Sequence, residues 1–311
     1  MHTKEQLQEL QNLPLSRKIQ ITTARIIEWY QHYDGKVYVA FSGGKDSTVL
    51  LDIIRRIYPD VPAVFSDTGL EFPEVRKFAM NKDNVTVIRP EMNFRKVIET
   101  FGYPVISKRT AETIEYGGKP GSFRWKELHG EVMIQNGKPS KFNCQKWCYL
   151  LDAPFKVSAR CCDIMKKKPI KKYSKKTGRL PITATMASES ISREGVWMRQ
   201  GCNAFNNKSP ISQPMSFWTE NDVLEYLYTY KIPYASVYGD IVKTAGGWTT
   251  TGEKRTGCVF CAFGVHLEKT PNRFQRLKIT HPKLWDYCMK PWEEHGLGMR
   301  GVLEYIGVSV E

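Results

Sequence analysis

The residues with the clearest chemical potential form a short loop, SGGKDS, which spans 42–47 between an apolar run and an amphipathic one. A loop that follows a buried strand and opens a helix offers free backbone N–H groups and the positive end of the helix dipole, and both attract anions. The adjacent Gly43 and Gly44 let the backbone approach such an anion closely. The loop therefore predicts a phosphate site. A plain strand-to-helix turn is the weaker interpretation, because the whole ordered set is present.

The loop differs from the ordinary phosphate loop of nucleoside triphosphatases. That pattern, GxxxxGK[ST], places a hydroxyl residue directly after the lysine, whereas here Asp46 follows Lys45. Backbone amides and a lysine can still neutralise phosphate charge, so we expect nucleotide chemistry of another kind.

A second set of residues suited to chemistry consists of two cysteine pairs, Cys161 with Cys162 and Cys258 with Cys261. Clustered thiolates bind soft metals, and four of them suit either zinc or an iron–sulfur cluster, although adjacent cysteines are less usual for zinc. Buried cysteines can also act simply as small apolar side chains, which is commoner for single cysteines than for two pairs. The pairs are distant in sequence, so only the fold can bring them together.

The other four cysteines leave the ligand assignment open. Cys144 and Cys148 have a CxxxC spacing that could supply a ligand in place of one of the four. Cys202 and Cys288 are isolated, and we expect them to be structural. Cys288 lies in HPKLWDYCMKPW, whose aromatic and proline content predicts packing rather than a mobile segment.

The composition predicts a globular protein that binds a polyanion. The 311 residues are 41% hydrophobic and carry a formal net charge of +14. No secretory segment and no membrane-spanning run is visible, which predicts a soluble, cytoplasmic protein with reduced thiols and no membrane partner. Seven lysines fall within 166–176, and this lysine run is either a solvated face or a surface that follows phosphates.

The elements that must position these residues alternate between helices and strands. Apolar spacing near 3.6 predicts a helix over 15–33 and another, after the glycine loop, over 48–57. A helix that starts at the N-cap Thr219 is predicted over 219–233. Runs typical of buried strands lie at 37–41, 61–69, 84–90 and 179–190. This order predicts an α/β fold with a mostly parallel twisted sheet flanked by helices.

Regular structure is expected to fade in two places. Gly, Pro, Lys and aromatic residues dominate 102–162, and the C-terminal part mixes loops with short helices. We therefore divide the chain into a helical lead-in (1–34), a nucleotide-binding α/β core (35–230) and a loop and helix region that supplies the second cysteine pair (231–311).

Three of the motifs resemble one family. SGGKDS resembles the pyrophosphate loop of the adenine nucleotide alpha-hydrolase superfamily, and FSDTGLEFPEV at 65–75 resembles the second motif of its PAPS and APS reductase branch. The CC…CxxC order resembles the four-iron, four-sulfur site of assimilatory APS reductases. The resemblance covers roughly 35–265 and implies an adenine nucleotide alpha-hydrolase-like fold, an adenine nucleotide partner such as ATP, Mg²⁺, and a 4Fe–4S cluster.

The resemblance also implies roles for individual residues. Lys45, Asp46 and Asp67 are the implied catalytic residues, although a plain turn explains Asp67 equally well. The implied cluster ligands are Cys161, Cys162, Cys258 and Cys261. The implied nucleotide contacts are Ser42, Gly43, Gly44, Lys45, Asp46, Ser47, Asp67, Thr68, Glu189 and Arg193. Arg255, close to the second cysteine pair, is a further candidate for pairing with a substrate phosphate.

One departure from the reductases decides the predicted function. Those enzymes carry a catalytic cysteine in a C-terminal ECGLH-like tail, and this sequence has no cysteine after Cys288. We therefore expect an ATP pyrophosphatase that adenylylates an acceptor oxygen for sulfur transfer, similar to the cluster-bearing subunits of DNA phosphorothioation systems. The expected acceptor is nucleic acid, either DNA or tRNA, and the expected partner is a cysteine desulfurase or another sulfur donor. Two alternatives are an APS or PAPS reductase that uses Cys288 or a partner's thiol, and a nucleotide-binding regulatory module without turnover.

Overall fold

The computed structural model describes all of residues 1–311, and its largest element is a six-stranded sheet. The strands of the chain are β1 (Val37–Ala40), β2 (Ala63–Ser66), β3 (Val85–Ile88), β4 (Val105–Ile106), β5 (Leu180–Ile182), β6 (Asn203–Ala204), β7 (Ile211–Ser212), β8 (Ile241–Thr244), β9 (Gly247–Thr250) and β10 (Ala262–Phe263). The large sheet has the order β3-β2-β1-β5-β7-β6, in which only β6 runs antiparallel to its neighbour. The predicted α/β class with a mostly parallel sheet is confirmed.

Fourteen α-helices accompany the strands. They are α1 (Lys4–Gln11), α2 (Leu15–His32), α3 (Lys45–Ile57), α4 (Pro73–Met80), α5 (Phe94–Phe101), α6 (Lys108–Tyr116), α7 (Phe123–His129), α8 (Arg160–Cys162), α9 (Lys168–Thr177), α10 (Ile191–Gln200), α11 (Glu220–Thr229), α12 (Arg273–Thr280), α13 (Pro282–Met289) and α14 (Met299–Tyr305). No helix in the structure combines the length and the apolar character needed to cross a membrane.

The chain forms two compact units. The first unit contains Met1–Asp67, Glu71–Arg89 and Pro169–Gly257, and it holds the six-stranded sheet. The second unit contains Thr68–Leu70, Pro90–Lys168 and Cys258–Glu311, and in it β4 pairs in parallel with β10. These units combine separate stretches of the chain, unlike the predicted segments 1–34, 35–230 and 231–311. The division into those three segments stays a prediction.

The helices and strands predicted in the first unit are present close to their expected positions. The predicted helix over 15–33 is α2, and the helix after the glycine loop is α3, which begins at Lys45. The side chain of Thr219 accepts a hydrogen bond from the Asp222 N–H, as expected of an N-cap. Local periodicity was sufficient here because each element buries one continuous stripe or run in the core.

The expectation of weak regularity over 102–162 is wrong for much of that segment. It contains α6 and α7, and a 3₁₀ helix spans Gln145–Asp152. The side chains of Ser107 and Ser122 cap the two α-helices by accepting backbone N–H groups. The glycine-rich stretch 117–121 separates the two helices. Its glycines and proline therefore indicate a loop between two helices, not a long irregular region.

A buried ion pair joins two helices of the first unit. Lys18 on α2 places its Nζ atom 2.6 Å from Oδ2 of Asp222 on α11, and the Lys18 side chain is only 2% exposed. The same carboxylate oxygen also accepts the backbone N–H and the hydroxyl of Thr219. This carboxylate therefore links α2 to the cap of α11.

Replacing Lys18 with alanine is expected to reduce the free energy of unfolding by about 3–5 kcal/mol, because Asp222 would remain buried without its cation. Lys4 is a suitable control, since its pair with Glu194 leaves the lysine side chain 64% exposed. The Lys4→Ala change should cost less than about 1 kcal/mol. Urea denaturation of both variants checks the difference, and equal midpoints would contradict the assigned role of the Lys18 pair.

Candidate functional site

The glycine loop leaves β1 and enters α3, as the sequence predicts. Gly43 has a φ of +74°, and a Cβ atom there would lie 2.9 Å from the carbonyl oxygen of Val75 on α4. Gly44 is the N-cap of α3 and makes no side-chain cap hydrogen bond. Only glycine fits at position 43, because any Cβ atom there would collide with α4. Because residue 44 is also a glycine, the N-terminus of α3 has no side-chain cap.

Two serines brace the loop from within. Oγ of Ser42 and Oγ of Ser47 lie 3.0 Å apart, and the Ser42 hydroxyl accepts the N–H of Gly44 at 3.3 Å. The hydroxyls of Ser47 and Thr48 each donate to the carbonyl oxygen of Gly44 at 3.0 Å. These bonds hold the loop in a fixed conformation around the start of α3.

Lys45 is held inside the first unit by contacts to distant parts of the chain. Its Nζ atom donates to the carbonyl of Lys254 at 3.0 Å and lies 3.1 Å from Oε1 of Glu220, and the residue is 5% exposed. Its backbone N–H donates to the hydroxyl of Tyr238 at 3.2 Å. Burial by itself would lower the pKa of Lys45, but Asp46, Tyr238 and Glu220 more than offset this, and the pKa is raised overall. The ammonium is therefore charged at neutral pH.

Asp46 carries a buried carboxylate oxygen without a hydrogen-bond partner. Its Oδ1 lies 3.7 Å from Nζ of Lys45, which is beyond hydrogen-bond distance. Burial raises the pKa of Asp46, while the positive charges of Lys45, Arg255 and Arg193 act in the opposite direction. An unsatisfied buried acceptor costs free energy unless a ligand completes it. A hard cation such as Mg²⁺, which prefers carboxylate oxygen, fits this donor.

Two arginines extend the positive charge beside Asp46. Burial and the charge of Arg255 lower the pKa of Arg193, so the two guanidinium groups act on each other as well as on Asp46. Arg193 forms an ion pair with Glu189, whose carboxylate also accepts the N–H of Met186 at 3.0 Å. The charges of Arg193 and Arg255 thus act on Asp46. Glu189 is connected to this group by its ion pair with Arg193.

Asp67 lies at the end of β2 with its carboxylate fully engaged. Arg76 on α4 donates from Nε and Nη2 to the two oxygens at 2.8 and 3.0 Å, and Arg89 donates from Nε at 3.1 Å. The hydrogen bonds and charge of Arg76, supplemented by Arg89, hold the pKa of Asp67 below its usual value. Direct contact of Asp67 with a metal or ribose stays a prediction and would require one of these bonds to break.

Thr68 begins a short stretch that belongs to the second unit. Its hydroxyl accepts the N–H of Leu70 at 3.2 Å, which is a hydroxyl-stabilised turn. The role of Thr68 as a nucleotide contact stays a prediction.

The second unit brings the two cysteine pairs together. Cys161 and Cys162 form the end of α8, which continues into a π-helical turn over Asp163–Lys167. Cys258 and Cys261 lie in a tight turn, where the N–H of Cys261 donates to the carbonyl of Cys258 at 3.0 Å. The hydrogen bond that the Cys161 thiol donates to Cys162 raises the pKa of Cys161, and burial and the charges of Cys162, Cys261 and Cys258 raise it further. The four thiols are therefore close enough to influence one another.

Lysines compensate charge at this cysteine site. The hydrogen bond with Cys161 and the charges of Lys108, Lys166 and Lys167 together lower the pKa of Cys162 to about 6, against the effect of burial. Burial, with the nearby Cys258, raises the pKa of Cys261 to about 11. Thiolates accumulate negative charge only where cations or a metal balance it, and the three lysines lie where they can do so.

The four thiols can be compared with the ligands that metal centres take. No group of three or more histidine, cysteine, aspartate or glutamate side chains is arranged to hold one metal ion. In a four-iron cluster each cysteine binds a different iron atom, so the sulfurs need not surround one point. Four neighbouring thiols supply the ligand type and number that such a cluster takes.

The remaining cysteines have other surroundings. The thiol of Cys148 donates to the carbonyl of Leu128 at 2.7 Å, and that of Cys144 contacts the carbonyl of Glu127 at 3.7 Å. Cys288 on α13 is 0% exposed, and burial raises its pKa. The predicted packing role of Cys288 agrees with this position. Cys202 lies in the first unit, where the hydroxyl of Ser216 donates to its sulfur at 3.4 Å.

Several residues of the loop's surroundings were not predicted. Tyr238 contacts the loop backbone and also lies 2.6 Å from the hydroxyl of Thr256, while Glu220 and the carbonyl of Lys254 hold the Lys45 ammonium. None of them belongs to a motif with recognisable spacing. Lys254 and Thr256 are the direct neighbours of Arg255, which the sequence indicates as a candidate phosphate contact. This adjacency was the only signal in the sequence that pointed to them.

Comparison with known proteins adds a family match. The family model described as "Phosphoadenosine phosphosulfate reductase domain" matches residues 36–109 and 131–253. An uncharacterized protein of Methanocaldococcus jannaschii is 24% identical over 269 residues, which cover 84% of this chain and 49% of that protein. A second uncharacterized protein of the same organism is 25% identical over 281 residues, covering 86% of this chain and 45% of that protein. The chain thus spans about half the length of these two relatives.

Two named reductases are also similar. The adenosine 5′-phosphosulfate reductase of Geobacillus thermodenitrificans is 26% identical over 216 residues, which cover 67% of this chain and 70% of the reductase. The crystal structure of a phosphoadenylyl-sulfate (PAPS) reductase from Candida auris, a phosphate complex, matches with a TM-score of 0.39 and 14% identity. That match covers 83% of this chain and 98% of the other.

Proposed function

Because the chain belongs to the phosphoadenosine phosphosulfate reductase domain family, we propose that it binds an adenine nucleotide and uses ATP to activate an acceptor oxygen for sulfur transfer. The proposed reaction forms AMP and pyrophosphate. The proposed acceptor is nucleic acid, DNA or tRNA, and a cysteine desulfurase or another sulfur donor is the proposed partner. The net charge of +14 supports a polyanionic acceptor.

The observation that carries the ATP proposal is the unsatisfied Oδ1 of Asp46 beside the buried Lys45 ammonium. A carboxylate placed within a glycine loop would repel the phosphates of a nucleotide unless a cation intervened. Mg²⁺ bound with ATP would be held by Asp46, and it would supply charge neutralisation at the phosphates. Lys45 and the N–H groups at the start of α3 are proposed to hold the β and γ phosphates.

In the proposed reaction the acceptor oxygen attacks the α-phosphorus, and the bond from that phosphorus to the bridging oxygen breaks. Pyrophosphate leaves with the electron pair, and Lys45 with the loop amides stabilises the charge that develops on it. The acceptor oxygen now carries AMP. A sulfur nucleophile then displaces AMP, which departs with the acceptor oxygen. Arg193 and Arg255 are proposed to pair with the α-phosphate side of the nucleotide.

The four cysteines of the second unit are proposed to hold a 4Fe–4S cluster. The support is the mutual influence of Cys161, Cys162, Cys258 and Cys261, together with three compensating lysines. The cluster would supply redox or sulfur chemistry when bound. This chain's own residues provide the thiolates and the surrounding positive charge.

The burial of Cys288 argues against the reductase alternative. Attack on the sulfur of a sulfonucleotide requires an accessible thiolate, and an external thiol must then release it. Cys288 is 0% exposed within α13, and its raised pKa disfavours the thiolate. Cys288 is therefore poorly suited to act as the nucleophile of a reductase.

The purified protein, prepared anaerobically, is expected to form pyrophosphate and AMP from ATP when Mg²⁺ and a nucleic acid acceptor are present. Given APS or PAPS with thioredoxin, it should release no sulfite above background, because Cys288 is inaccessible. Pyrophosphate release and sulfite release are measured on the same preparation. Sulfite release that disappears in Cys288→Ser but persists in Cys202→Ser would establish the reductase instead. Tight ATP binding without pyrophosphate formation would favour the regulatory module.

A further inference from the structure

Asp67, Arg76 and Arg89 form a charged group in the first unit that the proposed reaction does not use; we call it the arginine clamp. Asp67 is buried, with a side chain that is 5% exposed, whereas the side chains of Arg76 and Arg89 are 43% and 68% exposed. The buried carboxylate accepts three hydrogen bonds from the two guanidinium groups. The anchor therefore lies inside the unit, and the cationic groups lie at its surface.

The clamp has the properties of a prepared anion site. Because the pKa of Asp67 is lowered, its carboxylate stays charged and keeps both arginines oriented at neutral pH. The three bonds to Asp67 use only part of the N–H donors that two guanidinium groups carry. The charge of Glu71 also contributes to the raised pKa of Arg76. Oriented guanidinium groups match the geometry of a phosphate and lose less freedom on binding it.

The clamp lies at the same edge of the sheet as the pyrophosphate loop. Asp67 follows β2, Arg89 follows β3, and β2 is the direct neighbour of β1, which leads into the loop. Arg76 lies on α4 next to Val75, the residue whose carbonyl closely approaches Gly43. In open parallel sheets, ligands bind beyond the carboxyl ends of the strands. A phosphate at the clamp would therefore lie beside the nucleotide.

We propose that Arg76 and Arg89, held in place by Asp67, bind a backbone phosphodiester of the nucleic acid acceptor next to the pyrophosphate loop. The exposure of both arginines suits the backbone of a large ligand that lies across the surface better than an enclosed small molecule. This inference rests on the proposed function, since it specifies how the acceptor is presented to the bound nucleotide. Asp67 is then a positioning residue that acts through the two arginines.

The test measures binding of a labelled single-stranded oligonucleotide, as DNA and as RNA, to the full chain over a range of salt concentrations. The Arg76→Gln/Arg89→Gln variant should bind at least about tenfold more weakly, since two charge-assisted contacts to the phosphate are lost. Its log K against log salt slope should be shallower by about 0.7, because the two arginines together neutralise one phosphate and each neutralised phosphate adds about 0.7 to the slope for a single strand. The control is Arg17→Gln/Arg56→Gln, which removes the same charge from exposed positions on α2 and α3.

Asp67→Asn supplies a test with a distinctive sign. Removing a negative charge should strengthen general attraction to a polyanion, as expected for the exposed Asp60→Asn control. If Asp67 orients the clamp, Asp67→Asn should instead weaken oligonucleotide binding severalfold. Arg89→Gln alone, at the most exposed position of the clamp, should keep the wild-type melting temperature and still weaken binding.

ATP affinity, measured by calorimetry on the same variants, separates this inference from the proposed function. It should stay at the wild-type value in the arginine variants. Oligonucleotide affinity and slope equal to those of the control pair would overturn the clamp while leaving the ATP reaction intact. Weaker binding of adenosine 3′,5′-bisphosphate with unchanged oligonucleotide binding would also overturn it, because the arginines would then serve a phosphate of the nucleotide itself.

Discussion

Replacing Lys45 with alanine is expected to reduce pyrophosphate formation from ATP by about 100- to 1,000-fold, the usual effect of removing one preorganised group that stabilises transition-state charge. The ammonium is buried and anchored to Glu220 and to the carbonyl of Lys254, so it is already oriented before the nucleotide binds. No reorganisation is then needed when charge develops on the leaving pyrophosphate. Steady-state pyrophosphate release and ATP calorimetry provide the measurements.

Two further variants separate the charge from its surroundings. Lys45→Met removes the charge but keeps most of the side-chain length, so it should lose as much activity as Lys45→Ala while disturbing the packing less. Lys36→Ala removes an exposed lysine just before β1 and should leave the rate unchanged. A folded Lys45→Ala protein with the wild-type rate and ATP affinity would exclude the loop from the mechanism.

The parts of the candidate site that consist of residues adjacent in sequence could be located from the sequence alone. The glycine loop, the strand before it and the helix after it are contiguous, so residue type and periodicity were enough to locate them. The conformational demand on Gly43 could be anticipated in kind, because a close backbone approach requires a residue without a Cβ atom. The phosphate role assigned to the loop stays a proposal.

The groups that hold the loop could not be found in this way. Tyr238 and Lys254 are separated from Lys45 by 193 and 209 residues, and no spacing rule connects positions so far apart. The pairing of Asp67 with Arg76 and Arg89 is similar, since a turn motif indicates nothing about which cations arrive from α4 and from the end of β3. Such contacts depend on the order of the strands in the sheet, which sequence patterns determine only in part.

The cysteines illustrate an intermediate case. Their clustering in two pairs suggested a shared site, but the sequence alone left zinc, iron–sulfur and structural roles open. The structure brings the four thiols together in the second unit and gives Cys144 and Cys148 separate carbonyl partners. This arrangement supports the choice of Cys161, Cys162, Cys258 and Cys261 as the four ligands, and it makes that choice open to a direct test.

Serine at any one of these four positions is expected to abolish most of the bound iron and the visible absorbance of the anaerobically purified protein. A serine hydroxyl is a hard, poorly ionised ligand and replaces a soft thiolate badly at iron. Iron is assayed chemically, and the spectrum is recorded before exposure to air. Cys144→Ser and Cys148→Ser are the matched controls, and both should retain wild-type iron.

The same measurements can reject the assignment in two ways. Stoichiometric zinc without iron in the wild-type protein would replace the cluster by a zinc site. The second way is iron loss in Cys144→Ser or Cys148→Ser together with iron retention in one of the four serine variants at the proposed ligand positions. That result would show that Cys144 or Cys148 is a ligand in place of the cysteine whose variant retains iron. Because the lysines near Cys162 balance negative charge whichever metal is bound, Lys108→Gln should weaken metal retention in both cases. The ligand set therefore rests on the cysteine variants, and the identity of the metal on the iron assay.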